Sequence, residues 1–513
     1  MPLGAMTLAS AAHAQAPALP SSARLLDGFE TTAGWSAHPS DGVSLVISAD
    51  SSGTHGRAMR LDFDFHGHGG YAIARKKFDV ALPENYAFSY RIRAQAPAEN
   101  FEVKLVDSTG DNVWWNNAVN VRFPEEWRTM TLKKRHITFA WGPRGGGELA
   151  HLATIEFSIT AGSGGKGTVW LDALTFTPLA PVRPYTGTPV ASVTSAVATH
   201  PAALGADGNA ATSWTSDSSA SAQSYSLDFG TSREYGGATV DWVPGAAATS
   251  YVVETSADGA KWDTVYAVAR GNGGRDWIYL PEMESRYLRL RIPASASAPR
   301  AYGIRKLAVI PVEWSATRND FFAHVAAGAP AGSYPKYLSG KQSFWTVVGV
   351  DGDDAEALIN EQGAIEPHAG GFTLEPFLRV GGKLVTWHDA KQTQSLAHRY
   401  LPIPSVTWTA GALRLEVTTF ASGVPDSSSL YARYRITNAG KATAKPTLYL
   451  AVRPFQVNPS WQFLATQGGD ASLRHIAWED SLLRVNDSWT VVPLTAPAAV
   501  GVSTFDEGEI IEA

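Results

Sequence analysis

Hydrophobic and polar residues alternate with a period of two along much of the chain. Hydrophobic side chains stand at every second position from Met59 to Phe65. The same alternation returns at 86–93, 287–292, 413–417 and 430–436. Such alternation is typical of antiparallel strands that bury one face and expose the other. Only two short segments, 319–327 and 354–360, have patterns that a helix could adopt. The pattern therefore predicts an all-β protein built from sandwiches.

Two stretches of the chain interrupt this alternation and predict domain boundaries. PLAPVRPYTGTP begins at Pro178, contains four prolines in twelve residues and predicts a linker over 179–189. A second boundary is expected near 311–315, where one β pattern ends and an aromatic-rich region begins. A length of 513 residues is enough for about three domains. The predicted domains are 25–178, 190–311 and 316–513.

Charge and composition narrow the classes of partner. The formal net charge is −6 and there is no basic run, which argues against nucleic acid. No apolar run reaches the ~18 residues that a membrane span requires. With 0 cysteines, disulfides and thiolate zinc sites are excluded. Aromatic residues are plentiful, with 17 Trp, 17 Tyr and 20 Phe.

The N-terminal segment 1–24 has the features of an export signal. Ala12-His13-Ala14 before Gln15 matches the small-residue site of a signal peptidase, after a weakly apolar stretch. The basic n-region is missing, which indicates a start inside a longer signal. The alternative interpretation is a disordered, alanine-rich tail. Export predicts a secreted or periplasmic protein.

The middle of the chain contains three stretches with a common family resemblance. They are DGNAATSWTSD at 207–217 followed by YSLDFG, YVVETSADGAKW at 251–262, and RYLRLRI at 286–292. In this order, over 190–311, they resemble the discoidin domain, also called the coagulation factor 5/8 type C domain. The resemblance implies a galactose-binding-like β-sandwich with loops displayed at one end. Bacterial members of the family often bind sugars.

The same resemblance implies a calcium loop. In the family, the DGN-x-x-T loop commonly wraps a calcium ion, and here Asp207, Asn209 and Thr212 would supply oxygen ligands. Lys306 stands where the family often has a glutamate, which would place a cation beside the ion. Two interpretations therefore remain open: a bound Ca²⁺, or a loop held by Asx-turn hydrogen bonds.

A glycine-rich loop of this domain is a candidate sugar-binding site. GNGGRDW at 271–277 offers Asn272, Arg275 and Trp277, which combine an aromatic face with polar groups. The alternative is a long hairpin with a structural tryptophan. Three other tryptophans of the domain are predicted to lie in its core, Trp214, Trp242 and Trp262.

The first domain, 25–178, resembles the β-jelly-roll modules that are often attached to polysaccharide-degrading enzymes. The resemblance rests on LLDGFE near its start, FEVKLVDSTGDNVWW at 101–115 and GTVWLDALTF at its end. In such modules two acidic residues on the first and last strands share a structural calcium. Glu30 and Asp172 are the matching positions, and the alternative is a pair of ordinary surface carboxylates.

A pair of adjacent tryptophans gives this domain candidate sugar contacts. Trp114 and Trp115 point to opposite faces of a predicted strand, so one is expected in the core and the other at the surface. The exposed ring would lie beside Asn116 and Asn117, which suits stacking on a sugar and hydrogen bonding to its hydroxyls.

The third domain, 316–513, resembles the β-supersandwich that precedes the (α/α)6 barrel of six-hairpin glycosidases and sugar phosphorylases. The stretches that carry this resemblance are YPKYLSGKQSFWTVVGVDGD, GGFTLEPFLRVGGKLVTW, LPIPSVTW and LAVRPFQVNP. In those enzymes the general acid lies in the barrel. The sequence ends at FDEGEIIEA in mid-pattern, with Phe505 and Ile510 spaced as core residues, so a barrel is expected beyond Ala513.

No catalytic residue is predicted within the chain itself. Glycoside hydrolysis needs two positioned carboxylates. Nothing in the spacing of the available ones singles out a pair: Glu361, Glu366, Glu375, Asp389 and Glu416. DGDDAE at 351–356 departs from a calcium-binding EF-hand loop and predicts a hairpin turn.

The complete prediction is a multidomain, all-β protein with two β-sandwich domains followed by a β-supersandwich. Its predicted function is that of a secreted carbohydrate-binding protein, the non-catalytic N-terminal part of a bacterial enzyme acting on polysaccharides or oligosaccharides. Structural calcium and a glycan partner go with this prediction. Two alternatives remain: a glycoside hydrolase in its own right, and a discoidin-type adhesin that binds a protein.

Overall fold

A computed structural model describes residues 23–182, 185–295, 299–464, 466–486 and 488–508. The described residues fall into two compact units, one up to residue 182 and one from residue 185 onward. The break lies within the stretch predicted as a linker. No such break separates residues on either side of 311–315, which belong to the same unit. The predicted cleavage site at 12–15 and Ile510 lie outside the described residues.

The first unit is built from antiparallel strands. In chain order they are β1 (Arg24–Asp27), β2 (Ser36–Pro39), β3 (Ser44–Asp50), β4 (Ala58–Asp64), β5 (Tyr71–Ala81), β6 (Tyr86–Gln95), β7 (Glu99–Val106), β8 (Val113–Val121), β9 (Arg128–Lys133), β10 (Thr138–Trp141), β11 (His151–Thr160) and β12 (Lys166–Pro178). A short 3₁₀ helix, Lys134–His136, joins β9 to β10.

These strands form two sheets around one core. The first sheet has the order β3-β4-β12-β6-β9, with β1 paired to β12, and the second has the order β10-β8-β7-β11-β5-β2. Aromatic rings from both sheets meet between them, as where Tyr90 of β6 packs edge-on against Phe157 of β11 at 5.3 Å between centroids. Alternate residues of β4 and β6 enter this core, so the predicted alternation at 59–65 and 86–93 is confirmed.

The second unit begins with a domain of long strands, β13 (Val190–Val193), β14 (Trp214–Thr215), β15 (Gln223–Trp242), β16 (Tyr251–Ser256), β17 (Asp263–Val268), β18 (Arg275–Ile292) and β19 (Gly303–Ile310). The sheet order is β14-β19-β15-β18-β16-β17, with β13 paired to β15. Fully buried Trp214 and Tyr225 lie at the centre of its core, together with Leu288 and Leu290 of β18.

A helix and a further set of strands complete this unit. They are α1 (Arg318–Ala327), β20 (Trp345–Val348), β21 (Ala357–Asn360), β22 (Ile365–Glu366), β23 (Thr373–Val380), β24 (Lys383–Val385), β25 (Lys391–Leu396), β26 (Pro404–Ala410), β27 (Leu413–Val424), β28 (Ser427–Asn438), β29 (Thr447–Arg453), β30 (Phe463–Leu464), β31 (Thr466–Gln467), β32 (Ile476–Glu479), β33 (Leu482–Val485) and β34 (Trp489–Val491). Short 3₁₀ helices occupy Ala202–Gly205, Val312–Ser315, Lys336–Ser339, Ala397–Arg399 and Phe505–Glu507.

Two larger sheets of this region share a core. One has the order β20-β21-β22-β23-β24 with β29 paired to β23, and the other has the order β25-β26-β27-β28. Between them lie Trp408, Leu415 and Val417 of the second sheet with Ile359 and Leu378 of the first. The strands β30 to β34 form two small additional sheets. With strands dominating throughout the described residues, the prediction of a multidomain all-β fold is confirmed.

One of the two predicted helical segments is a helix. Thr317 caps α1, because its hydroxyl accepts the Asp320 N–H at 3.1 Å while the Asp320 carboxylate accepts the Thr317 N–H. The prediction for 354–360 is wrong, because Ala357–Asn360 is strand β21, which pairs with β20 along its whole length. The loop between these strands contains DGDDAE, so the predicted hairpin turn is confirmed.

Helix α1 packs against the end of the preceding domain. Buried Phe321 and Val325 join Ile310 in a small cluster that also contains Trp277 and Trp314. Because this cluster joins residues from both sides of 311–315, the two sides belong to the same compact unit. In the part of the chain that the structure describes, none of the helices has the length and apolarity required to cross a membrane.

Candidate functional site

The outward face of the second sheet of the first unit combines aromatic and charged side chains. In β7, Phe101, Val103 and Leu105 enter the core, so Glu102 and Lys104 point outward. The same face continues on the neighbouring strands. Lys104 lies opposite Trp115 of β8 and opposite Glu156 of β11, so these side chains also point outward. We call this surface the aromatic face and define it by Tyr71, Glu102, Lys104, Glu156, Trp115 and Trp141.

Three rings of the aromatic face lie at the surface. Trp141 is 47% exposed and Tyr71 is 42% exposed. Trp115 is half-buried and meets Trp141 edge-on, with 5.4 Å between ring centroids. Exposed aromatic rings of this size are costly to leave against water, and they present the flat apolar surface on which the C–H groups of a sugar can stack.

A buried ion pair lies between these rings. The Lys104 ammonium donates to the Glu102 carboxylate at 2.8 Å, although both residues are only 6% exposed. The Lys104 nitrogen is 5.5 Å from the centroid of Trp141 and 5.8 Å from that of Tyr71. The charged group is therefore held by a carboxylate and two ring faces.

Further polar groups extend the ion pair along the sheet. The Thr160 hydroxyl donates to Glu102 at 3.0 Å, and Ser158 is within 3.2 Å of Thr160. On the other side of β11, the Arg75 guanidinium donates to Glu156 at 2.6 Å. The Arg75 side chain is more exposed than that of Glu156, so some of its guanidinium N–H groups remain available to a ligand.

The structure shows which of the two adjacent tryptophans, Trp114 or Trp115, lies at the surface. Trp115 points outward, as one of the pair was expected to do. Trp114 is 3% exposed, and its indole N–H donates to the Gly147 carbonyl at 2.8 Å. The assignment of Trp114 as a carbohydrate contact is therefore wrong, because its ring is part of the core. Asn117 lies opposite Glu102, whereas Asn116 donates to the His136 carbonyl.

Tyr71 and Trp141 were not predicted from the sequence. Tyr71 is at the start of β5 and Trp141 at the end of β10, and each is brought to Lys104 only by pairing across the sheet. The spacing of Phe139 and Trp141 would have been a weak signal, but a bulge between these residues interrupts the simple alternation.

Glu30 and Asp172 both bind the loop between β3 and β4. Asp172 is almost fully buried and accepts the N–H and the hydroxyl of Thr54 at 2.7 and 2.6 Å. Glu30 accepts the Arg57 N–H at 3.1 Å, and an ideal Cβ on Gly56 would collide with the Glu30 carboxylate. Asp172 is therefore not an ordinary surface carboxylate. The calcium that the resemblance implies stays a prediction.

The Asp207 loop is held by its own hydrogen bonds. Asp207 accepts the Asn209 N–H at 2.8 Å, and Asn209 in turn accepts the Ala211 N–H at 3.0 Å. The Thr212 hydroxyl donates to Asp207 at 2.8 Å. These are the Asx-turn contacts of the second interpretation, and Lys306 lies opposite Asp241 in the sheet. Calcium at this loop stays a prediction.

The structure places Arg275 and Trp277 side by side at the start of β18, with the guanidinium carbon 5.7 Å from the ring centroid, and Asn272 in the loop before this strand. Arg275 donates twice to Asp241, at 2.5 and 2.8 Å, and this contact raises the pKa of its guanidinium. Asn272 accepts the Gly274 N–H at 3.0 Å. The ring of Trp277 lies 6.4 Å from those of Trp314 and Phe321. Trp277 is half-buried and α1 packs on it, which favours the structural interpretation; its assignment as a sugar contact stays a prediction.

Two of the three predicted core tryptophans of this domain are in its core. Trp214 and Trp242 are buried, as predicted, and the Trp242 N–H donates to Asp276 at 2.7 Å. The prediction for Trp262 is wrong. Its ring is half-buried at the sheet surface, where the Arg289 guanidinium lies 3.8 Å from its centroid.

The carboxylates considered for catalysis have structural partners. Glu366 is buried, which raises its pKa, and it accepts the backbone N–H of Val457 at 2.7 Å. Buried Glu375 pairs with Arg453 at 3.1 Å. Glu361 pairs with Lys336, Asp389 accepts from Thr386, and Glu416 lies between Arg433 and Arg435.

Comparison with family models assigns the middle domain. Residues 190–306 match the model of the F5/8 type C domain, so this part of the chain is a discoidin domain, as the resemblance implied. No curated protein matches the sequence.

Several solved structures are similar to parts of the chain. Chitosan-binding module 2 of a Paenibacillus chitosanase/glucanase, solved with chitotriose, is 26% identical, covers 25% of this chain and 99% of its own, and has a TM-score of 0.23. The family 11 carbohydrate-binding module of the Clostridium thermocellum cellulase Lic26A-Cel5E is 17% identical, with 32% and 96% coverage and a TM-score of 0.27. A Clostridium perfringens module solved with GalNAc-β-1,3-galactose is 18% identical, with 25% and 97% coverage and a TM-score of 0.23.

Proposed function

We propose that the protein binds a glycan and that the aromatic face of the first unit is its binding surface. The observation that carries this proposal is the pair of exposed rings, Trp141 and Tyr71, on either side of the buried Lys104–Glu102 ion pair. An aromatic platform with a few fixed polar groups is the chemistry that sugar rings require.

Binding at this surface would use two kinds of contact. The C–H faces of sugar rings would stack on Trp141 and Tyr71, while sugar hydroxyl groups would accept hydrogen bonds from the exposed guanidinium of Arg75. The ion pair is fixed before the ligand arrives, so little conformational entropy is lost on binding. A neutral glycan fits best, because the charges of the face are paired with one another.

The wider setting that we propose is that of a secreted protein associated with an enzyme that acts on glycans. The support is the discoidin domain together with sequence resemblance: the jelly-roll motifs of the first unit, the supersandwich motifs after residue 316 and the signal-like segment 1–24. In this setting the first unit and the discoidin domain would attach the protein to its substrate, and catalysis would belong to a barrel outside this sequence.

We also propose a structural calcium ion beside Glu30 and Asp172. Both carboxylates contact the β3–β4 loop, and the backbone of Gly56 approaches Glu30 more closely than a residue with a Cβ could. Carboxylate and backbone oxygens are the ligands that Ca²⁺ prefers. Thermal unfolding with calcium or with EDTA tests this: a higher midpoint with calcium, lost in the Glu30→Gln variant, is expected.

The test of glycan binding is an array of neutral and acidic oligosaccharides probed with the full chain. The best ligand is then titrated against the Trp141→Ala variant, with Trp461→Ala, which removes an equally exposed tryptophan of the second unit, as the matched control. Loss of an aromatic contact of this kind is expected to weaken binding roughly thirtyfold. Equal affinities for the two variants would refute the proposed surface. Binding to a protein array alone would favour the adhesin.

A further inference from the structure

A second outward face, on the sheet β25-β26-β27-β28, also combines basic and aromatic residues. Val406, Trp408, Leu415 and Val417 enter the core from this sheet, so the intervening residues point outward. Register places the outward residues in rows, in which Arg433 lies opposite Thr418 and Arg435 opposite Glu416. We call this surface the arginine face and define it by Lys391, Arg414, Glu416, Phe420, Tyr431, Arg433 and Arg435.

The arginine face carries an excess of positive charge in a chain whose net charge is −6. Among the strand residues that form it, Lys391, Arg414, Arg433 and Arg435 are exposed, and Glu416 is the one acidic side chain. Glu416 bridges Arg433 at 3.4 Å and Arg435 at 3.2 Å. One carboxylate shared at these distances neutralises neither guanidinium, and the two arginine side chains are 64% and 62% exposed.

An aromatic pair continues the row of arginines. Phe420 and Tyr431 are directly opposite each other and stack with 5.2 Å between centroids and 12° between planes. Both rings are exposed. On β28, Tyr431, Arg433 and Arg435 point to the same side and are spaced by two residues, about 7 Å apart along the strand.

Hydroxyl groups fill the rest of the face. They belong to outward residues of the three neighbouring strands, Thr393, Ser395, Ser405, Thr407, Thr409 and Thr418. Ser405 and Thr418 are hydrogen-bonded to each other at 2.8 Å, which fixes these two hydroxyls on the face. Aromatic rings, guanidinium forks and ordered hydroxyls together suit a polymer with carboxylates, apolar ring faces and hydroxyl groups.

The charge pattern argues against a second copy of the chain as the occupant. In the sheet, β28 pairs with β27 and is at the end of the strand order, so its other edge is open in the described residues. Antiparallel pairing of two such edges about Arg433 would bring like charges opposite each other, which is destabilising. Charge complementarity instead favours a polyanion.

We propose that the arginine face binds an acidic polysaccharide, with Arg414, Arg433 and Arg435 pairing with uronate carboxylates and Tyr431 and Phe420 stacking on a sugar ring. This site is separate from the aromatic face and does not depend on it. A single-stranded nucleic acid also has charge and stacking bases, and it becomes an outcome of the test.

The experiment is affinity electrophoresis of the full chain in gels containing polygalacturonate, with the carboxyl-reduced polymer as the neutral probe. The variants are Arg433→Gln/Arg435→Gln and Tyr431→Ala, and the matched control is Arg305→Gln, which removes an exposed arginine of the discoidin domain. Unchanged circular dichroism and unfolding midpoints establish that each variant is folded. Trp141→Ala separates this site from the aromatic face.

The proposal expects retardation by polygalacturonate and not by the reduced polymer. Loss of charge-assisted hydrogen bonds should weaken binding about tenfold in the double arginine variant. Tyr431→Ala should weaken it also, whereas Arg305→Gln and Trp141→Ala should not. The proposal is overturned if the wild-type chain is not retarded, or if Arg305→Gln is as defective as the double variant. Equal retention on a single-stranded oligonucleotide, unaffected by Tyr431→Ala, would overturn it in favour of general polyanion attraction.

Discussion

The aromatic face and the arginine face use similar residue types in opposite ways. On the aromatic face the charges of Lys104 and Glu102 are buried beneath rings and paired at 2.8 Å. On the arginine face Arg433 and Arg435 extend into solvent and share one carboxylate at longer distances. A buried ion pair holds its two polar groups in one geometry. Exposed charges attract a ligand over a longer distance, and dissolved salt screens that attraction. Under the two proposals, the aromatic face would recognise a neutral ligand mainly by its shape, and the arginine face would recognise an acidic ligand mainly by its charge.

The largest expected effect follows from breaking the buried pair. Lys104→Ala leaves Glu102 buried without its cation, so the free energy of unfolding of the first unit should fall by about 3–5 kcal/mol. Denaturant unfolding followed by tryptophan fluorescence measures this. Lys104→Met/Glu102→Leu removes both charges and should recover most of the loss. If the single variant is as stable as the wild type, the pair is not desolvated as the structure indicates.

The next largest expected effect is a difference in how ligand affinity at the two faces depends on ionic strength. Polygalacturonate binding at the arginine face is expected to weaken roughly tenfold between low and physiological ionic strength, because exposed charges are screened. Binding of a neutral glycan at the aromatic face should change by less than about twofold over the same range, since its charges are paired. Isothermal titration of both ligands at two salt concentrations provides the comparison. If salt weakens the binding of polygalacturonate and of the neutral glycan equally, the two faces do not differ in how charge contributes to binding.

A half-buried carboxylate of the second unit, Asp506, extends the comparison to pH. Burial, together with Asp276 and Glu507, raises the pKa of Asp506 from 3.8 to about 6, although it accepts the Tyr266 hydroxyl at 2.9 Å. A raised carboxyl pKa means that the native state holds the proton more tightly. The stability that this provides is complete below pH 3.8 and is lost as pH rises through about 6.

The corresponding measurement is unfolding of the full chain at several pH values between 4 and 7. The wild type should lose more stability across this range than Asp506→Asn, in which the titrating group is absent. Parallel pH profiles for the two proteins would show that Asp506 titrates normally.

The smallest effect is expected for the arginine face itself. Arg433→Ala should change the free energy of unfolding by no more than about 0.5 kcal/mol, because exposed ion pairs contribute little. Comparison with Lys104→Ala tests whether the difference in burial between the two ion pairs produces a difference in the free energy of unfolding. A loss near that of Lys104→Ala would mean that Arg433 has a structural role.

Much of the fold could be predicted because its signals are local. Alternation identified strands such as β4, β6 and β27, and the capping residues Thr317 and Asp320 accompany the one predicted helix that formed. The segment 354–360 was misassigned because its short pattern suits a helix as well as a strand. Pairing with β20 decides between them, and that partner lies beyond the local sequence.

The candidate site was less predictable, because it is assembled by pairing across a sheet. Alternation showed that Trp114 and Trp115 face opposite ways, but only the position of the core decides which is outside. Tyr71 and Trp141 reach Lys104 from the two sides of the strand order, and no short-range pattern connects them. Trp277 looked like a loop residue because the helix that packs on it comes some forty residues later.

The packing of α1 against the discoidin domain has a consequence for how such a domain could be exchanged during evolution. A recombination breakpoint at residue 311 would leave Trp277 and Tyr279 without the ring of Phe321 that packs against both. A newly joined partner would have to supply an apolar surface of the same shape, or the transplanted domain would tend to aggregate. The inheritable module in this chain is therefore the discoidin domain together with Arg318–Ala327, rather than the sandwich alone.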